Sequence, residues 1–262
     1  MTTFVRPRIL SLDGGGIRGI SSLLILEDII EKMRDAMGLD RVPRLCECFN
    51  MIGGTSTGGV IAIILGRLGI SVDECIRAYR KVAQQAFTPK RTTILPADFC
   101  VQPECVARRA EMAFRDGSCT KTVVLAITKD NVDARPTLFR IYDTSAALYS
   151  YTIWEVVWAT SAATTFFKPI RVGRDGIKFI NAGFGYNNPY EVLFPERRLL
   201  QVLSIGTGLR DVVTIGNTRM SIITALKKMA TSSKKGLQDI TLSDWEKASK
   251  ISAYTRNYLS DN

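Results

Sequence analysis

"IGGTSTGGV", Ile52–Val60, is the stretch on which the reading of this chain turns. Apolar residues lead into it and the apolar run "GGVIAIILG" leads out, so a buried strand is expected to enter a glycine turn and a helix to leave it. Inside it, Gly54-Thr55-Ser56-Thr57-Gly58 has the form G-x-S-x-G. A sharp strand-to-helix turn needs small neighbours, here Gly54 and Gly58, and exposes the middle serine. At a helix N-terminus the dipole and the unpaired amides favour developing negative charge. The plainer alternative is a tight turn whose serine only caps a helix.

Outward from this turn, further apolar runs read as strands: 8–13, 48–55, 122–128, 137–143, 177–183 and 199–208. Between them, 20–37, 57–69, 71–87, 103–117 and 152–163 read as helices. Ser71 followed by Glu74 predicts a capping box at the start of 71–87. Strands alternating with helices argue for an α/β protein with a largely parallel central sheet. The length of 262 residues suits a single domain over 1–262.

Two more glycine segments stand out. In "SLDGGGIRGI" (11–20), Gly14, Gly16 and Gly19 formally satisfy G-x-G-x-x-G. A dinucleotide site would also need a second strand ending in an acidic residue about 20 positions on, where the helical pattern instead runs to Met37. More generally, Gly14, Gly15 and Gly16 let backbone amides point into one small volume and form an anion nest, with the charge of Arg18 beside it. In "IKFINAGFGYNNP" (177–189) a strand runs into another glycine turn. Asn181 is then expected at the C-terminal end of a parallel strand, where open α/β sheets place their sites. Alone, it reads equally as a turn cap.

Composition narrows the chemistry. The chain has no histidine, which excludes Ser-His-Asp and Cys-His arrangements and H-E-x-x-H zinc sites within it. Six cysteines without a C-x-x-C pair predict a reducing compartment and inert thiols. "DNVDARP" (130–136) lacks EF-hand spacing, and neither a metal nor any other cofactor is expected. The net charge of +10 comes from scattered basic pairs without interleaved aromatics, which argues against nucleic acid and for attraction to an anionic membrane surface. No apolar run approaches the roughly 18 residues of a spanning helix, and the N-terminus has no secretory apolar region. A cytoplasmic protein with peripheral membrane contact is therefore expected.

Taken together, the segments resemble the patatin-like phospholipase family. Asp13–Arg18 (D-G-G-G-x-R) is similar to its oxyanion loop, and Gly54–Gly58 (G-T-S-T-G) to its nucleophile elbow. "IWEVVWATSAATTFFKP" (153–169) and "LSIGTG" (203–208) resemble the segments before and after its third motif. The resemblance spans about residues 5–210, and among family members it is closest to intracellular fungal domains that often precede a nucleotide-binding signalling module. It implies a three-layer α/β/α fold and a calcium-independent lipid acyl hydrolase acting through a Ser-Asp dyad on glycerolipids or phospholipids. Ser56 would be the nucleophile, and Gly14, Gly15 and Gly16, with Arg18 beside them, would bind the oxyanion. Phe166 and Phe167 would line an acyl channel or belong to the core. C-terminal signalling domains are implied as partners.

The chain departs from the family at the dyad aspartate. The motif Asp-Gly-Gly or Asp-Ala-Gly reads Asn181-Ala182-Gly183 here. Asparagine is nearly isosteric with aspartate and can hydrogen-bond Ser56, but it has no useful basicity. Two readings stay open: an introduced substitution in an otherwise competent hydrolase, or a natural pseudoenzyme acting as a lipid-binding signalling module. Asp13 lies in the glycine loop, and no motif places Asp143 or Asp175 beside Ser56. A second departure is the run 227–247, which is shorter than the family pattern and is expected to lack a segment.

Overall fold

The computed structural model describes residues 7–87, 120–132, 134–142, 151–164, 167–173, 175–193, 201–207 and 248–260. The strands among them are β1 (Arg8–Leu12), β2 (Met51–Thr55), β3 (Lys121–Thr128), β4 (Thr137–Arg140), β5 (Ile170–Val172), β6 (Ile177–Asn181) and β7 (Gln201–Ile205). The helices are α1 (Gly19–Met37), α2 (Leu45–Cys48), α3 (Thr57–Ala62), α4 (Val72–Phe87), α5 (Ile153–Ser161), α6 (Gly183–Tyr186), α7 (Tyr190–Leu193) and α8 (Ala248–Ser260). The helix expected over 103–117, Phe166, the 227–247 run and Cys100, Cys105 and Cys119 fall outside the described residues.

β7, β1, β2 and β3 are adjacent and parallel. Their run of Ile, Leu and Val is what a strand buried on both faces requires. β4 and β6 join β3 antiparallel, and β5 joins β6 antiparallel. The fold is thus α/β with a mostly parallel centre, as expected, but β6 corrects one expectation: Asn181 ends an antiparallel strand, not a parallel one. Spacing along the sequence carried no sign of this, because a short strand entering a sheet edge reads alike in either direction.

The register of β3 explains how β6 reaches the centre of the sheet. Leu125 pairs with Thr55 of β2 and Leu138 of β4, and Ala126 pairs with Thr137 of β4 and Asn181 of β6. A strand has only two edges, so β4 occupies one of them, and β2 and β6 share the other. β2 stops at Leu125 and β6 takes over at Ala126. The C-terminal ends of β2 and β6 therefore meet head to head, which brings position 181 to the turn that follows Thr55.

Side chains alternate across the sheet. Leu10, Leu12, Ile52 and Ile205 pack with Leu23, Leu26, Ile61, Ile76 and Ile251 from α1, α3, α4 and α8. On the same face, Val124, Ala126, Phe139 and Phe179 pack against Ile153, Val156 and Ala159 of α5. The opposite face carries Ile9, Met51, Val123, Leu125, Ile127 and Ile180 with Leu193 of α7. Each such side chain contributes about 1.5–3 kcal/mol on burial. Phe167 is buried.

Helix ends follow local chemistry. Ser71 and Glu74 form the expected capping box, with the Ser71 hydroxyl 2.8 Å from the Glu74 carboxylate, and these bonds hold the Glu74 carboxyl below its ordinary pKa. The strand expected over 48–55 begins only at Met51 because Glu47 organises α2 before it. Glu47 accepts from both Arg41 guanidinium nitrogens and from the Arg44 amide, which lowers its pKa. The helix expected over 57–69 is α-helical only to Ala62 and closes as a π turn, Ile63–Arg67. Cys46, Cys48 and Cys75 are buried and not in disulfides, and burial pushes the pKa of Cys48 and Cys75 up, which keeps both unreactive. Among the described residues no helix is long and apolar enough to cross a membrane.

α5 has a second capping box, in which Thr152 and Glu155 bond reciprocally. Thr152→Ala is expected to cost about 1 kcal/mol and to lower the melting temperature by about 2–4 °C, measured by circular dichroism. An unchanged melting temperature would show that α5 is positioned by packing alone.

Candidate active site

β2 hands over to α3 through Ser56, whose backbone has φ 57° and ψ −127°. Ser56 is the one non-glycine residue with positive φ among the described residues. Such a conformation costs a residue with a Cβ about 1–3 kcal/mol and persists only when its surroundings over-determine it. The surroundings are close. A methyl group on Gly54 would lie 2.2 Å from the Gly58 carbonyl, and one on Gly58 would lie 2.3 Å from the Leu12 carbonyl oxygen. Neither position can be other than glycine while β1, β2 and α3 keep their spacing. The turn holds the serine side chain partly exposed at the C-terminal end of the sheet.

Thr160, near the end of α5, ties the turn to its neighbours. Its hydroxyl accepts from the Ser56 amide at 2.8 Å and donates to the Leu125 carbonyl at 2.8 Å. Its own carbonyl accepts from the Asn181 side-chain amide at 2.7 Å. One residue thus links the serine turn, β3, α5 and position 181.

The glycine loop lies against the same turn. A Cβ on Gly14 would sit 3.0 Å from the Ser56 Cβ. All three glycine carbonyls are tied back by neighbours. Gly14 O accepts from the Asn187 side chain at 3.1 Å and from the Thr207 hydroxyl at 2.9 Å. Gly15 O accepts from Arg18 Nε at 3.4 Å, and Gly16 O from the Tyr79 hydroxyl. Burial pushes the Tyr79 phenol far above its ordinary pKa, so it remains a donor throughout the working pH range.

The amides differ from the expectation of three convergent donors. Gly14 N donates to the Asn187 carbonyl at 3.2 Å, and Gly15 N to the Thr57 hydroxyl at 3.0 Å. The third, Gly16, opens a short 3-10 turn with φ 54°, a conformation in which glycine is unstrained. Arg18 is buried behind the loop and braces Gly15. The physical reason for the difference is that the Asn187 carbonyl and the Thr57 hydroxyl lie within reach of the loop, so both amides are satisfied inside the fold.

Position 181 also differs in detail from expectation. Asn181 is buried and close to the serine turn, but its carboxamide does not bond to Ser56. Its Nδ2 donates to Thr160 O at 2.7 Å and its Oδ1 accepts from the Gly183 amide at 2.5 Å. Both ends of the amide are satisfied within the strand-end turn.

Sequence reasoning missed Thr160 and Tyr79, took Asn187 only as part of the Asn187-Asn188-Pro189 run that closes its turn, and gave Thr207 no role of its own. Tyr79 carried a usable signal: it lies on the apolar stripe Val72, Cys75, Ile76, Tyr79, Ala83 of α4, and a buried phenol needs an acceptor. Thr160 carried none, since one threonine in "WATSAATT" looks like the next.

A parallel α/β sheet with a strained serine between strand and helix, facing a glycine loop, defines an α/β protein of the strand–elbow–helix type. The model of the family described as patatin-like phospholipase matches residues 10–194, and the chain belongs to that family. It is 28% identical over 240 residues to calcium-independent phospholipase A2-gamma of Homo sapiens, covering 79% of this chain and 29% of the relative. It is 26% identical over 234 residues to the Arabidopsis thaliana protein named "Probable inactive patatin-like protein 9", covering 78% of this chain and 61% of the relative. The crystal structure of VipD from Legionella pneumophila superposes with a TM-score of 0.52 at 12% identity, over 88% of this chain and 56% of that one, and supports the fold.

Two outcomes test the strained turn. Ser56→Gly removes the backbone penalty and is expected to stabilise the protein by about 1 kcal/mol, whereas Ser56→Ala retains the strain and does not. Gly58→Ala forces Cβ into the β1 backbone and is expected to cost about 3 kcal/mol. Chemical denaturation measures both, and a stabilisation shared equally by Ser56→Gly and Ser56→Ala would count against strain at this residue.

Proposed function

We propose that this chain carries a lipid acyl ester hydrolase site in which Ser56 is the nucleophile and position 181 stands where the dyad carboxylate is needed. The strained geometry of Ser56, beside a glycine loop whose carbonyls are turned away, is the observation that carries this reading. The substrate class is glycerolipid or phospholipid, in keeping with the family and with relatives named calcium-independent phospholipases.

In the reaction, Ser56 Oγ forms a bond to the ester carbonyl carbon while its proton passes to a base. The carbonyl oxygen becomes an oxyanion, held by the Gly16 amide together with loop amides released from their resting partners. One such donor is typically worth about 2.7–4 kcal/mol. The alcohol leaves with the proton, and water then cleaves the acyl-serine with help from the same base. Asn181 cannot serve as that base. Replacing even the orienting carboxylate of a triad by an amide costs roughly 10⁴ in rate, so this chain is strongly impaired as it stands.

A second reading is a lipid-binding module without turnover. It is favoured by the full hydrogen bonding of the Asn181 amide and by the similarity to a relative named as inactive. Asn181→Asp separates the two. In the hydrolase reading it raises turnover of a short-chain ester by about 10³-fold or more, and Ser56→Ala in the same background removes the gain. Saturable lipid binding that persists in Ser56→Ala, with no gain from Asn181→Asp, would instead establish the module.

A further inference from the structure

Beyond the turn that holds Asn181, the sheet carries a transverse row of cations. Arg171 of β5 and Lys178 of β6 are directly opposite in the antiparallel register. Lys129 extends the register on the other side, since its amide donates to the Lys178 carbonyl at 2.8 Å. Neighbours in register point to the same face, so the three side chains leave the sheet together. At an interstrand spacing of about 4.8 Å the row spans about 10 Å. Arg171 and Lys129 are exposed and Lys178 is half-buried.

Like charges placed directly opposite across strands destabilise a sheet. Nothing relieves that repulsion within the described residues, where none of the three cations has an ion-pair partner. The nearest described acidic side chains in sequence, Asp130 and Asp175, lie on the adjoining turns. One exposed apolar side chain, Val132 (51%), lies three residues beyond Lys129, whereas Ile177 alternates to the opposite face of β6. β6 runs from this row towards Ser56, so the row lies at the same end of the sheet as the serine, three residues or about 10 Å along the strand from Asn181.

We propose that Lys129, Lys178 and Arg171 form a docking surface for the phosphate groups of an anionic bilayer, with Val132 beside them at its interfacial layer. Charge complementarity selects the partner: three cations in one line, without an ion-pair partner among the described residues, match a plane of headgroup phosphates, and the exposed Val132 nearby suits a lipid surface better than a free anion. The position delivers the membrane to the rim of the Ser56 site. The proposal deepens the lipid-directed reading of that site and rests on it for its biological sense, but its test does not depend on turnover.

The test is vesicle flotation of the full chain with phosphatidylcholine alone and with phosphatidylcholine containing phosphatidylserine. Each basic residue near such a surface contributes a factor of about 5, so the triple variant Lys129→Gln, Lys178→Gln, Arg171→Gln should bind phosphatidylserine vesicles on the order of 100-fold more weakly. A control with the same net charge, Lys32→Gln, Arg44→Gln, Lys81→Gln, should keep most of its affinity. Removing the cross-strand repulsion should leave the melting temperature of the triple variant unchanged or raised, so lost binding is not lost folding. Equal affinity of the two triple variants, or equal binding of the parent chain to neutral vesicles, would overturn the proposal, as would undiminished vesicle binding in millimolar inorganic phosphate at constant ionic strength combined with no effect of the triple variant. In an Asn181→Asp background the docking variant should retain turnover of a soluble ester. Failure of that turnover in both backgrounds, with vesicle binding intact, would sink the hydrolase reading and leave the docking surface standing.

Discussion

The positive φ of Ser56 is the constraint from which the rest of the site follows. A serine does not adopt that backbone unaided. Here it is imposed by two glycines in backbone contact, Gly54 against Gly58 and Gly58 against the end of β1, and by Thr160, which accepts the Ser56 amide. Because Thr160 also donates to Leu125, the turn is referenced to β3 as well as to α5. The strain of one residue is therefore offset by contacts from several elements, and the serine side chain is aimed by the sheet rather than by a loop.

The glycine loop shows a complementary kind of order. Its carbonyls could occupy the same volume as its amides, and a carbonyl facing the serine would repel a developing oxyanion. Each is drawn away by a different element: Gly14 O by Asn187 and Thr207, Gly15 O by Arg18 and Gly16 O by Tyr79 of α4. On the proposed reading, anchoring the carbonyls removes one source of repulsion for a developing charge, while the Gly14 and Gly15 amides have still to leave Asn187 and Thr57. The anchoring also explains why a methyl group at Gly15 would collide with Thr207, at 2.3 Å, since the anchor must approach the loop closely to hold it.

What was legible in the sequence and what was not divide along physical lines. Ser56, the flanking glycines and the triglycine were legible because backbone geometry restricts residue type at those positions. The buried strands and the Ser71–Glu74 box were legible because burial and capping leave periodic or local patterns. The antiparallel entry of β6 was not, since strand direction is set by where the chain returns to the sheet. Thr160 and Thr207 were hidden for a similar reason: each bonds to residues far away in sequence, and a lone threonine has no period. The resting partners of the Gly14 and Gly15 amides were likewise invisible, being choices the folded loop makes among nearby acceptors.

Position 181 gathers these threads. In its present surroundings one end of the side chain meets an acceptor, Thr160 O, and the other a donor, Gly183 N. An amide satisfies both, whereas an ionised carboxylate in the same rotamer would set an oxygen against the Thr160 carbonyl at the distance where Nδ2 now donates. The Gly183 bond suits either residue, so it can serve as the pivot. A carboxylate would keep that bond and swing its other oxygen off Thr160, and β2 ending head to head with β6 leaves the Ser56 turn as the neighbouring feature on that side. The contact that makes asparagine comfortable here is thus one that an ionised aspartate could not keep in the same rotamer. On the proposed reading, a one-atom change at 181 is what separates a fully bonded corner from a base.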